Sequence, residues 1–313
     1  MKIIFFGSSH FAVPSLEALI KSKHEVVCVV TQPDKQKGRH LHVAGTILKD
    51  TAVSAKIKIY QPENVNSKES VKFLKDFTAD LFVIIAYGQI LSQEILDIPK
   101  IMPLNIHASL LPRYRGAAPI NWAIINGEKK TGITVIYVSA KMDAGPIILQ
   151  EEMKIEDKDT AVTLEDKLCR LGAKDLEQVL AKIDERNYRL LEQDEEKAVY
   201  APKMKKEIGL IDWDAPAADI YNQIRGVLPW PGAFTILGGK ILKIFHTQVL
   251  PIFPNHKPAP GELVRADKHG IVVACGRGFL KIEELQLEAG KRMNAQSFVL
   301  GRRISVGDIL GKK

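Results

Sequence analysis

Residues 80–88, DLFVIIAYG, form an apolar, partly β-branched run that ends in glycine. A strand whose side chains are all apolar is buried on both faces, so it belongs inside a sheet covered by helices on either side. The surrounding sequence repeats this unit. KIIFFG (2–7) and EVVCVVTQ (25–32) read as short buried strands, with helix-like FAVPSLEALIKS (11–22) between them. TILKDTAVSA (46–55), KIKIYQP (56–62), KESVKFLKDF (68–77), PLNIHAS (103–109), APINWAIING (118–127) and TGITVIYVS (131–139) continue the alternation. That rhythm predicts an α/β domain with a central mainly parallel sheet covered on both faces. TAVTLEDKLCRLGAKDLEQVLAKIDE (160–185) reads as one or two helices that close it.

A chain of 313 residues is longer than one core usually organises. After Asn187 the sequence turns polar and charged, as a linker would. Beyond it, helix-like DIYNQIRGV (219–227) precedes five short strand-like runs separated by Gly and Pro, the pattern of a small β-barrel. The expected division is a first domain over 1–188, a linker over 189–208 and a second domain over 209–313.

The net charge of +7 is uneven. Residues 1–150 hold 18 Lys and Arg against 12 Asp and Glu, residues 151–200 hold 9 against 15, and residues 201–313 hold 17 against 10. Two basic blocks flank an acidic one, which suits a polyanionic partner but also an ordinary solvated surface. No apolar run approaches the roughly 20 residues of a membrane span. MKIIFFGSSH has too short an apolar stretch for a signal peptide and reads as a first strand. The three cysteines, Cys28, Cys169 and Cys275, are far apart, which fits a reducing cytoplasm rather than a disulfide framework. No metal set is expected, since the close pair His40-x-His42 lacks further ligands at useful spacing.

A dinucleotide site is not indicated. GSSHF follows the first strand where GxGxxG would be needed. Ligands of such sheets still bind at the carboxyl ends of strands near the topological switch point, where the strands of 80–88 and 103–109 are expected to end. There the sequence LNIHASLLPRYRGAAP (104–119) places Asn105 and His107 in a strand. Side chains alternate along a strand, so these two share one face and Leu104, Ile106 and Ala108 share the other. Asp143, in KMDAGPI, falls in a loop at the same expected edge of the sheet. An amide can donate to an oxyanion, an imidazole can move a proton, and a carboxylate can orient an imidazolium. With no serine or cysteine nucleophile beside them, the set suits direct attack by a substrate's amine on an activated carbonyl. A histidine satisfied within the core and an asparagine marking an edge strand remain open alternatives on spacing alone.

The stretch LNIHASLLPRYRGAAPI resembles the signature of the folate-dependent formyltransferases, and MDAG resembles the motif that completes their catalytic trio. FFGSSHFAVPSLEALI, VVTQPDKQKGR, AYGQIL, YAPKMKKEIGLIDW and RGVLPWPGAFT resemble further segments of the tRNA-directed branch of that family, from Met1 to about Leu310. The chain departs from the family pattern at GSSHF, at HLHVAG (40–45) and at Ser92.

The resemblance implies that the first domain is a Rossmann-like formyltransferase domain and the second an OB-like barrel that binds tRNA. It implies 10-formyltetrahydrofolate as formyl donor and initiator methionyl-tRNA as acceptor, with no metal and no obligate protein partner. It places catalysis on Asn105, His107 and Asp143, and folate contacts on Ser109, Leu110, Leu111, Pro112, Gln89, Ile90 and Leu91. It puts Arg39 at the acceptor end; if tRNA phosphates take cations from both basic blocks, Lys203, Lys205 and Lys206 in the linker and Arg302 and Arg303 in the barrel are the further contacts expected. Two rivals stay open: a formyltransferase acting on a sugar nucleotide or a purine precursor, and a non-catalytic RNA-binding module.

Overall fold

The apolar runs that read as strands are strands, buried most fully at 2–7, 81–85 and 102–107 and only half-buried at 59–60. In the computed structural model they are Lys2–Gly7 (β1), Glu25–Val30 (β2), Ile59–Tyr60 (β3), Leu81–Ile85 (β4) and Met102–His107 (β5). The structure describes residues 1–37, 42–251, 258–301 and 304–311. Arg115–Gly116 (β6), Lys130–Tyr137 (β7), Ile147–Lys154 (β8) and Tyr200–Ala201 (β9) follow in chain order. Seven of these strands form one sheet in the order β8-β7-β5-β4-β1-β2-β3. The pairs from β5 to β3 are parallel, while β7 and β8 run antiparallel at one edge. The remaining two strands, β6 and β9, pair in parallel as a small ladder of their own.

Helices start where the sequence supplies caps. Ile47–Ser54 (α2) opens on Thr46, whose side chain accepts from the Lys49 amide, and Lys68–Lys75 (α3) opens on Ser67, which accepts from Ser70. Val13–Lys21 (α1) takes its proline in the first turn, where no amide is missed. The next helices in the chain are Gln93–Leu96 (α4) and Pro119–Ile125 (α5), and the segment 160–185 is a single helix, Ala161–Asp184 (α6). One core cluster packs Phe6 against Phe82 and Tyr87, with ring centroids 5.0 and 5.5 Å apart.

The chain separates into two compact units. The first comprises Met1–Pro119, Lys130–Lys154 and Glu165–Ala201, and the second Ile120–Lys129, Ile155–Leu164 and Pro202–Lys313. The stretch read as a linker is thus shared out, 189–201 falling in the first unit and 202–208 in the second. Within the second unit, Asn121 donates to the Gly226 carbonyl at 2.8 Å, the Trp122 indole to Pro202 at 2.8 Å and the Tyr221 hydroxyl to Asp157 at 2.6 Å. These bonds tie the two short early segments to Ala217–Gly226 (α7) and its surroundings.

The second unit carries an antiparallel sheet built from Ala233–Leu237 (β10), Lys240–Leu250 (β11), Leu263–Asp267 (β12), Gly270–Ala274 (β13) and Phe279–Leu287 (β14). Its order is β10-β11-β14-β13-β12, and Met293–Asn294 (β15) pairs with β14. Among the described residues these pairings run as an open path. Inside this unit the buried Trp213 indole donates to Thr235 Oγ1 at 3.0 Å.

Asp175 on α6 is fully buried, and both its carboxyl oxygens lack a hydrogen-bond partner. Burial, aided by the nearby Glu151 carboxylate on β8, pushes its pKa up to about 7, while neighbouring Lys174, ion-paired with Glu151 at 3.0 Å, pulls the other way. A carboxyl raised above its unfolded value costs stability as pH climbs from about 4 through 7. Asp175→Asn is therefore expected to stabilise the protein by about 1–3 kcal/mol at pH 8 and to change little near pH 4. A melting-temperature gain that does not depend on pH would contradict this.

Candidate active site

The site is built at the carboxyl end of β5, where the chain leaves the sheet. The strand order reverses between β1 and β4, so β5 lies one strand beyond the switch point rather than at it. Asn105 is half-buried and His107 is only 6 % exposed. His107 Nε2 lies 2.9 Å from the Tyr114 carbonyl. A carbonyl can only accept, so this bond puts the proton on Nε2. The other ring nitrogen, Nδ1, then faces Asp143 Oδ2 at 3.6 Å.

Asp143 follows β7 with φ +52°, a left-handed conformation that aspartate tolerates better than most residues. Its carboxylate gathers the site. Oδ1 accepts from Asn105 Nδ2 at 3.4 Å, and Oδ2 accepts from the Gly116 amide at 2.8 Å. The three side chains singled out from the sequence therefore meet around one carboxylate. A primary amide carries two N–H donors, so Asn105 can serve both Asp143 and a substrate oxygen.

The hinge after β5 is held by its own bonds. Ser109 Oγ donates to the Arg113 carbonyl at 2.6 Å. Thr134 Oγ1 donates to the Ser109 carbonyl at 2.6 Å and accepts from the Leu111 amide at 3.1 Å. Gln150 Nε2 donates to the Leu111 carbonyl at 2.9 Å. Ser109 and Leu111 are buried, and Leu110 and Pro112 are half-buried.

The second expected folate segment follows β4, the parallel neighbour of β5, and so leaves the same edge of the sheet. Gln89 is committed to the fold, accepting from the Val65 amide at 3.0 Å and donating to the Glu63 carbonyl at 3.1 Å. Leu91 is buried, whereas Ile90 is 75 % exposed. Of the expected apolar folate contacts, Ile90 is therefore exposed, Leu110 and Pro112 are half-buried, and Leu91 and Leu111 are buried.

The sequence reading missed a polar network beside the trio. Arg115 is fully buried and donates twice to Gln193 Oε1, at 3.1 and 2.7 Å, and twice to Glu195, at 3.2 and 2.9 Å. Lys141 also reaches Glu195, at 2.6 Å. The Arg115 guanidinium, and after it the Lys141 ammonium, hold the Glu195 pKa down at about 2. Gln193 Nε2 donates to the Asp143 and Gly145 carbonyls, both at 2.8 Å. An arginine inside an apolar hinge was a visible signal for this network. Gln193, far along the chain in a polar stretch, gave none.

The lysines expected to meet tRNA sit in the second unit. Lys203, Lys205 and Lys206 are exposed around a buried Met204. Gln223 Nε2 donates to the Ile208 and Leu210 carbonyls, at 2.8 and 2.9 Å, which fixes the turn after them. Arg39, Arg302 and Arg303 lie outside the described residues. Among the described residues there is no group of three His, Cys, Asp or Glu able to hold a metal ion, and no helix long and apolar enough to cross a membrane.

Comparison with known proteins shows what the chain as a whole is similar to. A formyl transferase model matches residues 1–180, and a model of the formyl transferase C-terminal domain matches 203–303. The methionyl-tRNA formyltransferase of Acetivibrio thermocellus is 45% identical over 312 residues, covering 100% of both chains. That of Caldanaerobacter subterraneus is 45% identical over 311 residues, covering 99% of this chain and 100% of its own. An N-formyltransferase from Helicobacter canadensis, solved with folinic acid and dTDP-3-aminofucose, superposes with a TM-score of 0.68 at 20% identity, over 94% of this chain and 100% of its own. The phosphoribosylglycinamide formyltransferase of Bacillus halodurans gives a TM-score of 0.51 at 28% identity, over 58% of this chain and 95% of its own. With both of its domains matched and relatives this similar along its whole length, the chain belongs to the formyltransferase family.

Proposed function

We propose that this protein transfers the formyl group of 10-formyltetrahydrofolate to the free amine of initiator methionyl-tRNA, in the cytoplasm, to give N-formylmethionyl-tRNA. The observation that carries the reading is the end-to-end match to relatives named methionyl-tRNA formyltransferase. The purine-precursor alternative is weaker because the Bacillus halodurans structure accounts for only 58% of this chain. The likeness to sugar-directed enzymes, at 20% identity, speaks for the fold alone. A purely RNA-binding role would leave the convergence of Asn105, His107 and Asp143 without a use.

The methionyl amine attacks the formyl carbon of 10-formyltetrahydrofolate, the bond from that carbon to N10 breaks as the tetrahedral adduct collapses, and the proton the amine loses ends on N10 of the leaving tetrahydrofolate. Asn105 donates to the carbonyl oxygen as it gains negative charge, an interaction strongest in the transition state. Asp143 orients that amide and faces the imidazole of His107. With Nε2 given to the Tyr114 carbonyl and Nδ1 turned to Asp143, His107 is better placed to stabilise charge than to carry a proton away. The exposed Ile90 and half-buried Leu110 offer apolar surface suited to a flat heteroaromatic ring, and Ser109, Leu111, Pro112, Gln89 and Leu91 shape the backbone behind them.

On the acceptor side, Lys203, Lys205 and Lys206 contact phosphates, with Arg39, Arg302 and Arg303 completing the set. Each phosphate contact releases counterions, so affinity falls with salt. The test is tRNA affinity across a salt series for the parent and for a Lys203→Ala/Lys206→Ala double variant. A steep log–log dependence is expected, flattened by roughly one or less per lost contact in the variant. Salt-independent binding by the parent would overturn the tRNA assignment.

A further inference from the structure

We propose that Gln193 is a positioning residue for the reaction, holding the Asp143 loop in the one conformation that assembles the site. This rests on the formyl-transfer reading above. Asp143 sits at φ +52°, a region in which a residue other than glycine is held only where its surroundings over-determine it. The Gln193 side chain is the clamp. Its Nε2 bonds the carbonyls of Asp143 and Gly145, one at the strained residue and one two residues on.

The orientation of the clamp is itself fixed. Oε1 takes two guanidinium donors from buried Arg115, which lacks any acceptor capacity, so the amide cannot turn over without facing donors with donors. Arg115 is held in turn by Glu195, and Glu195 by Lys141, two residues before Asp143. Arg115 also neighbours Gly116, whose amide donates to the Asp143 carboxylate. The network thus grips the Asp143 loop at its backbone from one side and at its carboxylate from the other. None of its members needs to touch substrate.

Gln193→Glu separates this role from simple packing. The variant keeps the length of the side chain and an acceptor for Arg115. It replaces the donor to two carbonyls with an oxygen that repels them. The expected result is a kcat lowered by about 10–100-fold with KM for both substrates within about threefold, because misplacing a catalytic group by a fraction of an ångström is costly. Hydrogen exchange at the Gly116 amide is expected to quicken by at least about tenfold as its acceptor drifts. Glu195→Gln, at a half-exposed side chain and so safe for folding, should show the same two changes at about two- to fivefold. A role confined to stability would lower the melting temperature and leave kcat per folded molecule intact. Unchanged kcat, or unchanged Gly116 exchange, in the folded variants overturns the proposal. If the parent itself formylates no tRNA, the transfer reading fails, while Gly116 exchange still decides whether Gln193 positions Asp143.

Discussion

Asn105→Ala is expected to lower kcat by about 10²–10³-fold, with the dissociation constant for the folate donor within about threefold. The reason is the timing of the charge. The formyl oxygen is a weak acceptor before attack and a strong one at the transition state, so the lost bond is felt in rate rather than in binding. The amide is preorganised for this, since Asp143 Oδ1 already holds one of its protons at 3.4 Å. Asn105→Asp should do no better than alanine. It removes the donor and sets a second carboxyl beside that of Asp143, where the two disfavour ionising together. Steady-state kinetics and donor binding by fluorescence check both variants. If Asn105 were only a polar group satisfied at the sheet's edge, the variants would lose stability but keep kcat per folded molecule.

Gly116→Ala is expected to destabilise the protein by about 2–4 kcal/mol and to lower kcat at least about tenfold in the fraction that folds. Gly116 has φ +121°, and an added Cβ would stand 2.7 Å from the Ala201 carbonyl oxygen. That oxygen cannot retreat, because Tyr200–Ala201 pairs with Arg115–Gly116 and accepts from the Ala117 amide at 2.9 Å. The strain must therefore turn the peptide, and the Gly116 amide is the group that fixes Asp143 Oδ2. Denaturant titration and kcat measured below the unfolding transition test the two effects separately. Parent-like stability together with a parent-like rate would show that the turn has room the geometry denies.

Why some of this was readable and some was not follows from where each signal lives. A strand buried on both faces announces itself locally, so LFVII and KIIFFG were legible from side chains alone. Asn105 and His107 stood out because polar groups two apart in such a strand must share a face. β8, IILQEEMK, was missed. It is an edge strand whose alternating burial and charged residues resemble solvated chain until β7 pairs with it. Helix α6 read as one or two helices because Gly172 interrupts its pattern. In the structure an added Cβ there would lie 3.1 Å from Ile106 Cγ2, so the glycine admits the sheet closely instead of ending the helix. The stretch after Asn187 looked like a linker because it is polar. Part of that polarity faces inward, towards Arg115 and the Asp143 loop, and Leu191 pairs through its backbone with Ile147. Gln193 has no local signature at all, since its meaning comes wholly from groups about 50 and 80 positions away in the chain.

If Asn105, His107 and Asp143 move a formyl group from folate to the amine of methionyl-tRNA, removing the imidazole must slow the transfer itself. Single-turnover transfer from formyl-labelled 10-formyltetrahydrofolate to charged initiator tRNA, for the parent and for His107→Ala, tests it most directly. Label on the methionyl amine is expected with the parent, and at least about tenfold slower transfer with the variant at unchanged donor affinity. Label that stays on the folate, or an equal rate in the variant, would contradict it.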